Sequence, residues 1–178
     1  MCAALFLKLI PENLLRESIK FIFSYHHRLV QIIAAMSVLL TAGSFASPLA
    51  EDTAPEVAKI RNYLVNDLPI HAADEEEGLF PYLAQHCPED EDTKQIFANL
   101  HQEYMENSAL LPSITAGLDD LLAGRAVAKW ALFAASATRL MESQRWHIIR
   151  ENNIILPLAR RHFTVSDMAA RRNIDFPT

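Results

Sequence analysis

Glycine is scarce in this chain, four in 178 residues, and cysteine is scarcer at two. With few glycines and no β-branched runs set between Gly-rich turns, a sheet has little to build on, and the abundance of Ala and Leu favours helices. Cys2 and Cys87 are too few for a disulfide scaffold and are not spaced as a metal pair; a reducing compartment suits them. A basic excess is missing as well. The formal charge is −6, and the pairs Arg160-Arg161 and Arg171-Arg172 form no stripe interleaved with aromatics, which argues against nucleic acid as a partner. The acidic runs Asp74 to Glu77 and Glu89 to Asp92 are expected to be a solvated helix face and a loop. No flexible linker or low-complexity segment divides the chain. Half of it is hydrophobic (51%), enough for one domain with a substantial core.

Residues 1–10 are apolar but too short to span a bilayer. Arg28, the apolar stretch Leu29 to Gly43, and Ser44-Phe45-Ala46 have the layout of a signal peptide with its cleavage site. The segment before Arg28 would then be an overlong leading region, and it is itself periodic and apolar. A first bundle helix accounts for more of these residues, so the expected location is cytoplasmic, with no membrane partner.

Four long helical segments are predicted. The first runs from about Glu12 to Leu40, with Pro11 suited to its first turn. The second begins near Thr53 to Pro55, an N-cap followed by an N1 proline, and reaches about Ala84, with a kink expected at Pro69. The third spans about Glu91 to Leu122, with a break expected at Pro112 and Gly124 as its stop. The fourth runs from about Val127 to Ala159, and a short terminal helix follows from Thr164 or Ser166 to about Arg172. Short connections between long amphipathic helices imply an all-α, up-down-up-down four-helix bundle. Residues 11–172 form the domain, 1–10 an N-terminal extension and 173–178 a tail.

One motif occurs twice. His71-Ala-Ala-Asp-Glu75 leads on to Pro81 and His86, and His147-Ile-Ile-Arg-Glu151 leads on to Pro157 and His162; all four landmarks recur at an offset of 76 residues, from 71 to 147 onward. A histidine and a carboxylate at i, i+4 share one helix face, with Cβ atoms about 6 Å apart. Two such pairs on facing helices can converge on a metal. His86 and His162 each lie about 22 Å further along a continuous helix, too far to join. They are expected to be helix-end cations, and the two prolines to end or bend the ligand helices.

Helical neighbours at ±3, ±4 and ±7 test which other histidines point inward. For His26 they are Phe23, Leu29, Ile22, Val30, Ile19 and Ile33, all apolar; for His27 they are mixed, which places it at the core edge. His101 has Ala98, Phe97, Tyr104 and Met105 beside it and is expected to face inward, 75 residues after His26. The chain thus reads as two hairpins, each giving one histidine and then one His-Glu pair. Burying so many polar groups without a shared partner would cost several kcal/mol. Four imidazoles and two carboxylates suit iron or another first-row transition metal, and two carboxylates between two ligand trios can bridge two ions.

The segments Phe21-Ile22-Phe23-Ser24-Tyr25-His26, His71 to Pro81 and Glu151 to Arg161 resemble the hemerythrin-like, HHE cation-binding family over roughly residues 12 to 170. That resemblance implies a bundle around a non-haem di-iron centre, with His26, His71, Glu75, His101, His147 and Glu151 as ligands and Glu75 and Glu151 as bridges. Oxygen-carrying hemerythrins have a further histidine one turn after the third-helix ligand, where Met105 stands here. Glu106 is a candidate substitute oxygen, and Tyr25 stands where many bacterial relatives have an acidic residue.

The expected function is a di-iron protein that binds or senses O₂ or NO, its centre shielded by Ile22, Phe23, Phe97 and Met105. The alternative is a di-iron enzyme of oxidative or nitrosative stress, turning over peroxide or NO or delivering iron to damaged metal centres, with Tyr104 as a redox or proton-donating side chain. No separate nucleophile, acid–base dyad or cofactor fingerprint is present. A third reading is a metal-free helical interaction module.

Overall fold

The computed structural model describes residues 12–41, 53–86 and 91–161, with side chains of the first segment described from residue 22 onward. Four helices account for nearly all of them: α1 (Glu12–Thr41), α2 (54–86), α3 (Glu91–Leu122) and α4 (130–161). No strand occurs among the described residues. The helices close into a ring, α1 against α2, α2 against α3, α3 against α4, and α4 against α1. No helix among the described residues is long and apolar enough to cross a membrane. The terminal helix expected after Thr164, and Cys2, Cys87 and His162, lie outside the described residues.

The prolines explain the local backbone. A proline inside a helix lacks an N–H, and its ring collides with the carbonyl four residues back. In α2 and α4 the chain meets this with a wider π turn just ahead of each proline. Tyr63–Asp67 precedes Pro69, Asp74–Leu79 precedes Pro81, and Glu151–Ile155 precedes Pro157. The helices run on past all three, so Pro81 and Pro157 end neither of them, and α2 reaches His86. Pro112 does not break α3 either, which is unbroken over 32 residues. There the single missing bond is outweighed by packing. Ile114 is fully buried, and Ser113 bonds Ser136 of α4 at 2.8 Å. At the α3 terminus Gly124 takes a positive φ of 69°, and the N–H groups of Gly124 and Arg125 return to carbonyls of the last turn.

The apolar core lies in two compartments. The larger contains Leu29, Ile60, Leu68, Ile114, Leu118, Phe133 and Leu140. The smaller contains Ile22, Leu79, Leu83, Leu100, Ile155 and Leu156. The buried polar residues His26, His71, Glu75, Asn107 and Glu151 fall along each helix between members of the two. Gly117 lets α3 and α4 approach closely, since a Cβ there would lie 2.3 Å from the Phe133 ring.

Candidate metal centre

Two of the three π turns widen the helix where an HxxxE pair sits, so His71–Glu75 and His147–Glu151 both span an α-to-π junction. His26 comes from α1, about one turn before Leu29. One donor atom from each of His26, His71, Glu75 and Glu151 lies within 4.8 Å of the others, and all four residues are buried. His26 Nε2 is 2.8 Å from Glu151 Oε2, and its Nδ1 is 3.2 Å from Asn152 Oδ1. An imidazole that donates from Nδ1 to Asn152 directs its Nε2 lone pair at Glu151, an arrangement that a cation between them satisfies. The His71 ring is stacked by Tyr25 at 4.9 Å, and Arg28 covers the other partner in that stack at 5.0 Å.

Glu75 divides its two oxygens between two imidazoles. Oε1 is 3.1 Å from His71 Nε2, while Oε2 accepts from His147 Nε2 at 3.2 Å. His147 Nε2 also lies 3.4 Å from Glu151 Oε2. The His71 and Glu75 atoms approach each other without hydrogen-bond alignment. Both His71 nitrogens, Glu75 Oε1 and Glu151 Oε1 are buried without a hydrogen-bond partner. Such atoms cost several kcal/mol each in a protein interior. Imidazole nitrogens and carboxylate oxygens with lone pairs free and facing inward are a donor set for a first-row transition metal ion, and the residues present fit one.

Charge in the centre is unevenly held. Burial, helped by the neighbouring imidazoles His147 and His26, lowers the His71 pKa to about 3, so the ring is neutral and free to donate. Burial and the Glu151 charge raise Glu75 to about 8. Burial alone would lower His147, but Glu151 and Glu75 outweigh it and raise the pKa to about 9. Glu151 is pulled below its ordinary value, because His147 and His26 outweigh the effect of its burial.

His101 is not where the sequence reading put it. It faces outward, its side chain 62% exposed, and its Nδ1 pairs with Glu76 Oε2 at 2.6 Å. The inward face of α3 is Leu100, Asn107, Ile114, Leu118 and Leu121. One residue on an α-helix is a turn of about 100°, so the position after Leu100 points to the side. The apolar and aromatic neighbours of His101 are themselves mostly exposed: Ala98, Tyr104 and Met105. Met105 and Phe23 therefore do not enclose the centre, whereas Ile22 is buried beside it. Glu106 also points away, tied to Gln102 and to Arg139 at 2.7 Å. His27 is exposed and meets Gln31.

Other polar residues gather around the centre that the histidine pattern did not single out. A cavity of about 190 Å³ is walled by His71, Glu75 and His147 together with Tyr104, Asn107, Ser108 and Gln144. Asn107 and Gln144 are buried, and Gln144 Oε1 has no partner. Gln144 stands one turn before His147, a spacing that could have revealed it. Glu103 pairs with Arg150 through Oε1, and its Oε2 is buried without a partner.

A helical bundle with buried, converging imidazoles and carboxylates defines a metal-binding class of protein. Residues 17–159 match the family described as the hemerythrin HHE cation binding domain, and the chain belongs to that family. Cation binding follows from that membership together with the His/Glu cluster. No curated protein and no solved structure matches the chain.

Proposed function

We propose that this protein is a non-haem iron protein that binds or senses O₂ or NO. The convergence of His26, His71, Glu75 and Glu151 on a common point, with unpartnered lone pairs, carries the reading. His26, His71, Glu75 and Glu151 would hold one ion, and His147 with the other Glu75 oxygen would contribute to a second, making Glu75 and Glu151 the bridges. The division of the Glu75 oxygens between His71 and His147 supports two ions. Iron in such a site supplies redox change and open positions for a diatomic ligand. The chain's own residues orient the donors through Asn152 and Tyr25, and the apolar compartments on both sides keep bulk water from them.

The two apolar compartments are met in alternating order along successive helices, from Ile22 to Leu29 in α1 and from Leu68 to Leu79 in α2, which supports up-down-up-down topology. The sparse cysteine content and the lack of a spanning helix among the described residues fit a cytoplasmic location. Anaerobic reconstitution with ferrous iron, followed by metal analysis and titration with NO under paramagnetic resonance, tests the reading. Iron retention with a nitrosyl signal is expected. Protein that retains no iron, or iron that never takes up NO or O₂, overturns it.

The 190 Å³ cavity favours a second reading, an enzyme that turns over peroxide or NO, since a single diatomic does not need that volume. Stopped-flow mixing of the reduced protein with peroxide and NO separates the two: a stable spectrum means binding, and repeated turnover means catalysis.

A further inference from the structure

Resting on the two-ion reading above, the Glu75 oxygens define two sides of the centre. The His71 side has a full set of donors from α1, α2 and α4. The His147 side has one imidazole and the two carboxylates, and α3 forms its remaining wall. His101 contributes nothing there: it lies to one side of the inward face, with its Nδ1 2.6 Å from Glu76 Oε2. Tyr104, four residues after buried Leu100, stands about 40° from that face and walls the same cavity as His71, Glu75 and His147. Of the α3 residues in that wall, Asn107 and Ser108 are neutral amide and hydroxyl groups, and Leu111 is apolar. Tyr104 alone among them can become an anionic oxygen donor. Glu103, on the opposite flank, is held by Arg150 and does not line the cavity.

We infer that Tyr104, not His101, is the third-helix donor on the His147 side of the centre. The phenol gives up its proton to solvent as its oxygen takes the ion, and no electrons move in that step. A phenolate is a hard, anionic oxygen donor of the kind found on ferric haem in catalase. The centre is then unequal, nitrogen-rich on the His26 and His71 side and oxygen-rich on the side facing α3. A ferric phenolate also absorbs in the visible with tyrosinate vibrations enhanced in resonance Raman spectra, which imidazole and carboxylate ligands do not give.

The test loads the full chain anaerobically with ferrous iron, oxidises it with ferricyanide, and measures iron per chain and the resonance Raman spectrum. The wild type should show tyrosinate modes, Tyr104→Phe should lose them while keeping the iron of the His71 side, and His101→Ala should match the wild type in both readouts. If Tyr104→Phe does not fold, Tyr104→His carries the same readout, with modes lost and iron kept. Tyr63 is the competing phenol, since its hydroxyl is buried without a partner, and modes that vanish in Tyr63→Phe instead would overturn the assignment. Iron-loaded wild type without tyrosinate modes overturns the Tyr104 assignment alone. Wild type that binds no iron overturns the iron reading and the assignment with it.

Discussion

The two halves of the repeat make unequal use of the same residues. In the first hairpin His26 is buried beside His71 and Glu75, its ring 5.5 Å from that of His71. In the second, His147 and Glu151 are equally buried, but His101 stands in solvent with Glu76. The HxxxE pairs converge because each carries its own register: four residues on one helix keep their face whatever the loops do. A single histidine has no such safeguard. Its direction depends on the phase of the whole helix, and one residue of phase is about 100°. A motif with internal spacing is therefore stronger evidence for a site than an isolated residue at a similar offset.

The largest effect should come from the half where all donors converge. His71→Ala should weaken iron binding by more than about 100-fold, measured as iron retained after anaerobic loading and desalting. Removing the second-hairpin histidine by His147→Ala should leave iron bound but lower the count per chain. Equal loss in both variants would erase the difference between the two sides.

Support of the imidazoles ranks next. Asn152 accepts from His26 Nδ1 at 3.2 Å, and Asn152→Ala should lower metal affinity about 10-fold by freeing that ring. Affinity unchanged within error would mean that burial alone orients His26.

Acid should separate the halves in a different way. His71, with a pKa near 3, needs no proton removed at neutral pH, while Glu75 near 8 and His147 near 9 must each lose one to donate. Metal affinity should fall as pH drops through that upper window, by about tenfold per pH unit for each proton displaced. Competition with a chelator, using cobalt(II) as the probe ion, measures the slope. A flat profile above neutrality would show that neither group is protonated in the metal-free protein. For stability of the metal-free chain the sign of the His71 contribution is the reverse of a paired histidine's. Its folded pKa lies below the ordinary value of 6.5, so that contribution is present above 6.5 and lost as pH falls toward 3.

Much of the fold was legible, and the reason is local. The boundaries of α1 and α3, and the stop at Gly124, follow from capping and periodicity. Pro112 does not break α3, and neither Pro81 nor Pro157 ends its helix, because a helix can widen or pack its way past the missing bond. Pro69, Pro81 and Pro157 each lie just beyond a π turn, and Pro112 is carried through by the packing of α3. In the site, the residues read from i, i+4 spacing were brought together. His26, read from its apolar neighbours, joins them, whereas His101, read in the same way, does not, because Phe97, Met105 and Tyr104 are apolar or aromatic without marking the buried stripe. The stripe runs through Leu100 and Asn107, and a polar residue at its centre hid it.

Packing between α3 and α4 offers a control that leaves the ligands untouched. Gly117→Val would drive methyl groups into Phe133, where even a Cβ meets the ring at 2.3 Å. Overpacking of this kind costs about 1–3 kcal/mol. Thermal unfolding should show a similar loss with and without iron, whereas a loss confined to the iron-loaded form would mean that this contact sets the geometry of His147 and Glu151.

The smallest effect is also the most discriminating. His101 and Glu76 form an exposed ion pair, with the histidine side chain 62% in solvent. Pairs of that kind contribute about 0–1 kcal/mol, so His101→Ala should change stability by less than about 1 kcal/mol. Its iron content and visible spectrum should equal those of the wild type. If iron content falls as it does in His71→Ala, α3 must rotate by roughly one residue on loading, since about 100° separates His101 from the inward face. Hydrogen exchange along α3 with and without iron would then reveal that rotation as altered protection at Leu100 and Asn107. With no change in iron content, the asymmetry between the two hairpins belongs to the loaded protein as well.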